Sequence, residues 1–155
     1  MTLRLSDDDL ARIYAHGEKA YVEECCGMLV GPQPQSGGDV VISEIVAAEN
    51  ERQDSRHNRY VISPQALLKT QRSARERGLE ILGYYHSHPD HPARPSDFDR
   101  EHAWPGTSYM IVSVMKGSVV DGRSWRLVDD RSRFEEEDLV GSNGVKVAFD
   151  SRSTK

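Results

Sequence analysis

One stretch limits the fold more than any other. Leu79-Glu80-Ile81-Leu82-Gly83-Tyr84-Tyr85 runs into His86-Ser87-His88-Pro89, and Pro95-Ser96-Asp97-Phe98-Asp99 follows. The apolar run reads as a strand, and in a strand residues two apart point to one face. His86 and His88 can therefore reach a single ion. Pro89 has no N–H to give a sheet ladder, so the strand is expected to stop there. Ten residues lie between His88 and Asp99, room for a loop and one helical turn to bring a carboxylate back to the imidazoles.

Such a site needs a core to hold it. With 155 residues, 37% of them hydrophobic, the chain suffices for one globular domain, expected over residues 1–140. Residues 141–155 are expected to form a poorly ordered tail. Twenty basic residues stand against 25 acidic ones, a net charge of −5, and the basic residues are scattered. That argues against nucleic acid and against an anionic membrane as partner. The two cysteines, Cys25 and Cys26, are adjacent, a spacing that rarely closes an unstrained disulfide, so a reducing compartment is expected. The first residues contain no apolar leader, and nowhere do eighteen apolar residues run together. A soluble, cytoplasmic protein is the expectation.

Local signals sketch the elements. Ser6 with Asp9 reads as a capping box before a helix over residues 7–22, with Leu10, Ile13, Tyr14 and Tyr21 on one face. Residues 23–31 should be a buried strand closed by Pro32 and a glycine-rich turn, residues 39–50 a second strand, residues 51–58 an exposed loop and residues 60–62 a brief strand. Ser63 and Pro64 suit the start of a second helix and Gly78 its end. Ser96 caps a short third helix that Pro105-Gly106 must end. Residues 108–115 and 125–128 read as strands, with turns at Lys116-Gly117 and Asp121-Gly122, and a last strand begins near Arg133. Helices alternate with strands and then strands dominate, which predicts an α/β or α+β fold, a mixed central sheet flanked by helices.

Two neutral imidazoles and a carboxylate form a common zinc ligand set that leaves the fourth position open for water. Each residue also has a plainer role: an exposed histidine pair is often inert, and Asp99, three after Ser96, is placed for a capping box. It is the conjunction that carries weight. His86-Ser87-His88-Pro89 followed by Pro95-Ser96-Asp97-Phe98-Asp99 resembles the H-x-H-P…S-x-x-D signature of the JAMM (MPN-plus) zinc metallopeptidases, and is similar to the short bacterial and archaeal forms. Upstream, Glu24-Cys25-Cys26-Gly27-Met28-Leu29-Val30-Gly31 resembles the strand that carries the family's catalytic glutamate. The likeness extends from about residue 21 to about residue 128. It implies an MPN/JAMM-like sandwich akin to cytidine deaminases, one Zn2+ per chain on His86, His88 and Asp99, Glu24 as the base acting on water, and Ser96 as donor to the oxyanion. Zinc would lower the pKa of its water to about 7 and polarise the scissile carbonyl. Glu24 rather than Glu23 matches the pattern because it precedes Gly27 by three. For Ser96, capping and catalysis compete for one hydroxyl unless its lone pairs and proton are divided between them.

His91 and His102 lie near the signature but do not fit it. Cys25 and Cys26 suit buried packing better than nucleophilic chemistry, and Trp104 and Trp125 suit core or rim. The chain leaves no room for the insertions with which larger relatives grip ubiquitin chains. The resemblance therefore implies a small ubiquitin-like or sulfur-carrier protein as substrate, cut after its C-terminal Gly-Gly, with residues 50–60 as one wall of the cleft. Two rival readings are a non-catalytic interaction module of the same fold and a general zinc metallopeptidase. A deaminase would want a P-C-x-x-C segment, which is absent.

Overall fold

The computed structural model describes residues 1–147 and 149. The elements are β1 (Thr2–Arg4), α1 (Asp7–Ala20), β2 (Cys26–Gly31), β3 (Val40–Val41), β4 (Glu44–Ala48), α2 (Pro64–Glu76), β5 (Glu80–Pro89), α3 (Asp97–His102), β6 (Ser108–Met115), β7 (Ser118–Leu127) and β8 (Phe134–Val140). The strands form one mixed sheet in the order β3-β1-β8-β7-β6-β5-β2-β4. β5 pairs parallel with β6 and antiparallel with β2, so the histidine strand has a neighbour on each side.

Strand alternation sorts β5 into two faces. Tyr85 is fully buried in the larger core with Leu10 and Ile13 of α1, Leu29 of β2 and Met110, Val112 and Val114 of β6. Ser87 points the same way, and a Cβ on Gly17 of α1 would lie 3.6 Å from its Cβ. Tyr84, His86 and His88 necessarily take the opposite face. There Tyr84 and Phe134 pack against a smaller cluster of Ala103, Tyr109 and Leu127. From Tyr84 onward, one strand thus builds the core with Tyr85 and Ser87 and the site with Tyr84, His86 and His88.

The helices begin where their caps place them. The Ser6 hydroxyl accepts from the Asp9 N–H at 3.0 Å, and the Ser63 hydroxyl from the Ala66 N–H at 3.1 Å. Gly78, at φ +73°, follows the α2 C-cap Arg77 in a left-handed conformation that suits glycine.

Several expectations need correction. The strand expected over residues 39–50 is broken because the chain changes partner: Ile42 N–H donates to Arg4 O, and Ser43 N–H to Val30 O. Residues 60–62 form no strand; the Val61 N–H is taken by the Asn50 side chain instead of a ladder. Asp121-Gly122 is no turn. β7 runs straight through it, Gly122 facing Val112, with a bulge at Ser113/Val114. β1 was too short to show a period. The acidic β8 is held by cross-strand charge, Arg126 Nε lying 3.0 Å and Ser124 Oγ 2.7 Å from the buried Glu137 carboxylate. Beyond β8, Gly141 is buried and the Val147 N–H donates to Leu139 O at 2.8 Å. Of the tail expected over residues 141–155, residues 148 and 150–155 lie outside the described residues. Among the described residues no helix is long and apolar enough to cross a membrane.

Candidate metal centre

His86 and His88 project from β5 side by side, and α3 returns Asp99 to meet them. His86 Nε2 lies 3.1 Å from His88 Nε2, and Asp99 Oδ2 lies 3.3 Å from the first and 3.1 Å from the second. The loop after β5 and the capping box make this possible. Ser96 N–H donates to Asp99 Oδ2 at 2.9 Å, while Ser96 Oγ accepts from Asp99 N–H at 3.0 Å. The cap therefore orients the carboxylate toward the imidazoles, and Ser96 Oγ keeps its own proton free to donate.

The donor set fits a zinc ion. His88 Nδ1 lies 2.9 Å from Pro92 O, and since a carbonyl only accepts, Nδ1 carries the hydrogen and Nε2 offers a lone pair. Lone pairs of two imidazoles and a carboxylate facing one another repel unless a positive charge sits between them. Tetrahedral zinc with bonds of about 2.0–2.1 Å separates its ligands by about 3.3–3.4 Å, close to the spacings here. Among the described residues these three form the one group of this kind.

Glu24, two residues before β2, reaches the same face. Cys26 pairs with His86 in the antiparallel ladder, and Ser87 N–H donates to Cys25 O, so two residues further on Glu24 comes opposite His88. Its side chain is buried and Oε1 has no hydrogen-bond partner. Burial pushes its carboxyl up to about 7, against the pull of His86 and His88 and with the help of Asp99. Glu23 is instead turned outward, 3.8 Å from Arg56. Asp99 is partly buried, which alone would raise it, yet His86 and His88 hold it well below the usual carboxylate range. Burial would likewise keep His86 neutral, but Asp99 outweighs it and raises the imidazole.

Two clefts meet at the cluster with Phe98 between them. One, a cavity of about 240 Å³, is apolar, lined by Ile62, Leu67, Tyr84, Trp104, Tyr109 and Phe134. The other runs past Glu24, His88 and Ser96 beneath Asn58, Arg59 and Arg94. Of the wall expected over residues 50–60, Tyr60 lines the first cleft and Asn58 and Arg59 line the second. Sequence reasoning did not find the inner roles of Asn50 and Tyr60. Tyr60 stacks on the His86 ring with centroids 4.7 Å apart, and Asn50 ties the loop to the Glu24 backbone. A lone asparagine ending an apolar run was the available signal. His102 stacks on Phe98 at 4.0 Å, away from the ligand atoms. Cys25 and Cys26 are buried, unpaired thiols, pushed up by burial to about 11 and about 12.

The family model for prokaryotic homologs of the JAB domain matches residues 6–128, which includes every residue of this site. The chain belongs to the prokaryotic JAB-domain family. A curated relative, Desampylase from Haloferax volcanii, is 38% identical to this JAB-domain chain over 55 residues, 35% of the chain and 40% of the relative. A Thermus thermophilus protein named "Probable TtuB-protein conjugate cleaving protease" is 42% identical over 52 residues, 34% of the chain and 35% of the relative. Both matches cover well under half of those relatives. Among solved structures, a Salinibacter ruber protein is 38% identical with a TM-score of 0.69, covering 97% of each chain. A JAB1/MPN domain protein from Archaeoglobus fulgidus, 19% identical and covering 91% of this chain and 98% of its own, shares the fold at a TM-score of 0.55.

Proposed function

We propose that this JAB-domain chain is a zinc-dependent peptidase or isopeptidase that hydrolyses the bond after the C-terminal Gly-Gly of a ubiquitin-like or sulfur-carrier protein. The observation that carries the reading is the convergence of three lone-pair donors beside a buried, unpartnered carboxylate. His86, His88 and Asp99 would hold one ion per chain. When bound, zinc supplies Lewis-acid polarisation of the scissile carbonyl and a more acidic water. Glu24, with a pKa of about 7, would take a proton from the attacking water and return it to the departing amine, a role best filled by a group titrating near working pH. Ser96 Oγ, already accepting from Asp99 N–H, turns its proton toward the developing oxyanion.

The substrate class draws support from two relatives, one named for conjugate cleavage and the other named Desampylase. Steric argument adds to it. A Cβ on either residue before the cut would crowd the approach of backbone to metal, and glycine removes it. Extended tail residues further upstream gain backbone pairing and side-chain contact along the cleft wall.

The test is mass spectrometry of ubiquitin-like carriers, each ending in Gly-Gly plus an adduct, incubated with zinc-loaded protein. Cleavage directly after the second glycine is expected, and changing that glycine to Val should reduce it far more than changes five or six residues upstream. Scattered cuts indifferent to Gly or Val would mean a general metallopeptidase. A zinc-replete protein that cuts no carrier would mean an interaction module.

A further inference from the structure

The two imidazoles of the cluster are held in different ways. His88 is fixed by its Nδ1 hydrogen bond to Pro92 O at 2.9 Å. His86 is buried with Nδ1 unpartnered among the described residues, and rotation of an imidazole about its last torsion is soft. What lies against it is the Tyr60 ring, centroids 4.7 Å apart and planes inclined by 26°. Tyr60 belongs to no strand or helix, so something else must place it.

That something is Asn50. Its Nδ2 donates to Glu24 O at 3.2 Å and to Arg59 O at 3.0 Å, and its Oδ1 accepts from Arg52 N–H at 3.1 Å and Val61 N–H at 3.2 Å. All four hydrogen-bonding capacities of one amide are thereby used, and the partners dictate which end is nitrogen. Two of the bonds bracket Tyr60 on either side, at Arg59 and Val61. A third reaches the backbone of Glu24, whose own N–H donates to Arg56 O in the same loop at 2.6 Å.

We propose that residues 50–61 form a positioning element of the metal centre: Tyr60 sets the ring plane of His86 by stacking, and Asn50 locks Tyr60 and the Glu24 backbone into one frame. The inference rests on the metal reading above. Neither residue supplies a ligand atom; both act through His86 and Glu24. A partner that fixes a metal-bound imidazole is commonly worth about 10- to 100-fold in metal affinity, so that range is expected here.

Full-length Tyr60→Phe, Tyr60→Leu and Asn50→Asp proteins would be compared with wild type by zinc competition against a chromophoric chelator. The visible absorption of the cobalt-substituted proteins and the melting of the metal-free proteins would be recorded alongside. Tyr60→Phe keeps the stack and should keep zinc affinity. Tyr60→Leu should weaken zinc by about 10-fold or more and alter the cobalt bands. Asn50→Asp is isosteric but turns two donors into acceptors that face carbonyls, and it should weaken zinc in the same direction although it touches no ligand. Tyr60→Leu with affinity within twofold of wild type and unchanged cobalt bands would overturn the proposal. So would Tyr60→Phe as weak as Tyr60→Leu in zinc binding. If Asn50→Asp does not fold, the Tyr60 pair decides. A wild type that takes up no zinc would instead overturn the metal reading itself, an outcome separable from intact wild-type binding with unaffected variants.

Discussion

Glu24→Gln should cost activity and, in the metal-free protein above neutral pH, add stability. The side chain is buried, Oε1 has no partner, and burial lifts its pKa from the ordinary 4.5 to about 7. The folded state then holds its proton more tightly than the unfolded state. Stability from this group is fully present below about pH 4.5 and is lost as pH rises through about 7. At about 1.4 kcal/mol per pKa unit, the loss between pH 5 and pH 8 amounts to about 2 to 3 kcal/mol. Glutamine keeps the shape and cannot ionise, so it removes the pH dependence. Any fixed cost of burying the amide appears equally at both pH values and cancels in the difference. Chelator-treated wild type and Glu24→Gln would be unfolded in urea at pH 5 and pH 8. The variant's midpoint, relative to wild type, should rise by about 1 to 2 M between the two, given a slope of about 1 to 3 kcal/mol per molar. The zinc-loaded variant should retain its metal while turnover falls by about 10²- to 10⁴-fold. Parallel pH dependence in the two proteins would refute the buried-carboxylate argument, and equal activity losses in Glu24→Gln and Glu23→Gln would refute the assignment of the base.

Three further outcomes are expected. His86→Ala and His88→Ala should each take zinc content, by elemental analysis, from about one per chain to near zero; full zinc in both would overturn the ligand set. Ser96→Ala should lose about 1 kcal/mol of helix-cap stability, and if the free hydroxyl proton serves the oxyanion, turnover should also fall by about 100-fold at unchanged zinc content. Unchanged turnover would leave the residue a cap alone. Gly27→Ala should destabilise by about 1–3 kcal/mol in thermal or urea melts, because the added Cβ would fall inside the buried Tyr85 ring, whose hydroxyl lies 2.8 Å from His16 Nδ1. A neutral result would mean that the ring can move aside freely.

Elements with a period or a cap were legible in the sequence. Ser63-Pro64 marks α2 because a missing N–H costs nothing at a helix start, and the strand expected over residues 108–115, where Ser108 and Ser113 break a run of large apolar side chains, matches β6. What failed was partner choice. Nothing local says that Ile42 bonds to Arg4 and Ser43 to Val30, since strand pairing is set by elements distant in sequence. Asp121-Gly122 carries turn chemistry, yet ladder pairing with Val112 and Ser113 overrides it. At the site, alternation alone placed His86 and His88 on one face. Asn50 and Tyr60 stayed hidden because their value lies in four hydrogen bonds and one stack made across the fold, and residue type and spacing do not encode such contacts.

The site's two carboxylates show how environment gives one functional group two proton affinities. Asp99 and Glu24 are both withdrawn from water, which by itself raises both. Asp99 is compensated: it receives the Ser96 N–H at 2.9 Å and faces both imidazoles within 3.3 Å, so its charged form is held and its proton is released at any working pH. Glu24 has no such partner at Oε1, so its charged form is penalised and its pKa comes to rest at about 7. A carboxylate of the first kind can neutralise a cation continuously but has too little affinity for a proton to carry one. One of the second kind can take a proton and give it up within a single turnover. Exchanging the environments would exchange the proton affinities, so the division is set by Ser96 and the two histidines on one side and by the partnerless burial of Glu24 Oε1, just before β2, on the other. Asp99→Asn would remove the charge that raises His86 and put a neutral amide where a bound cation would need an anion, so its zinc content by elemental analysis should fall well below that of wild type.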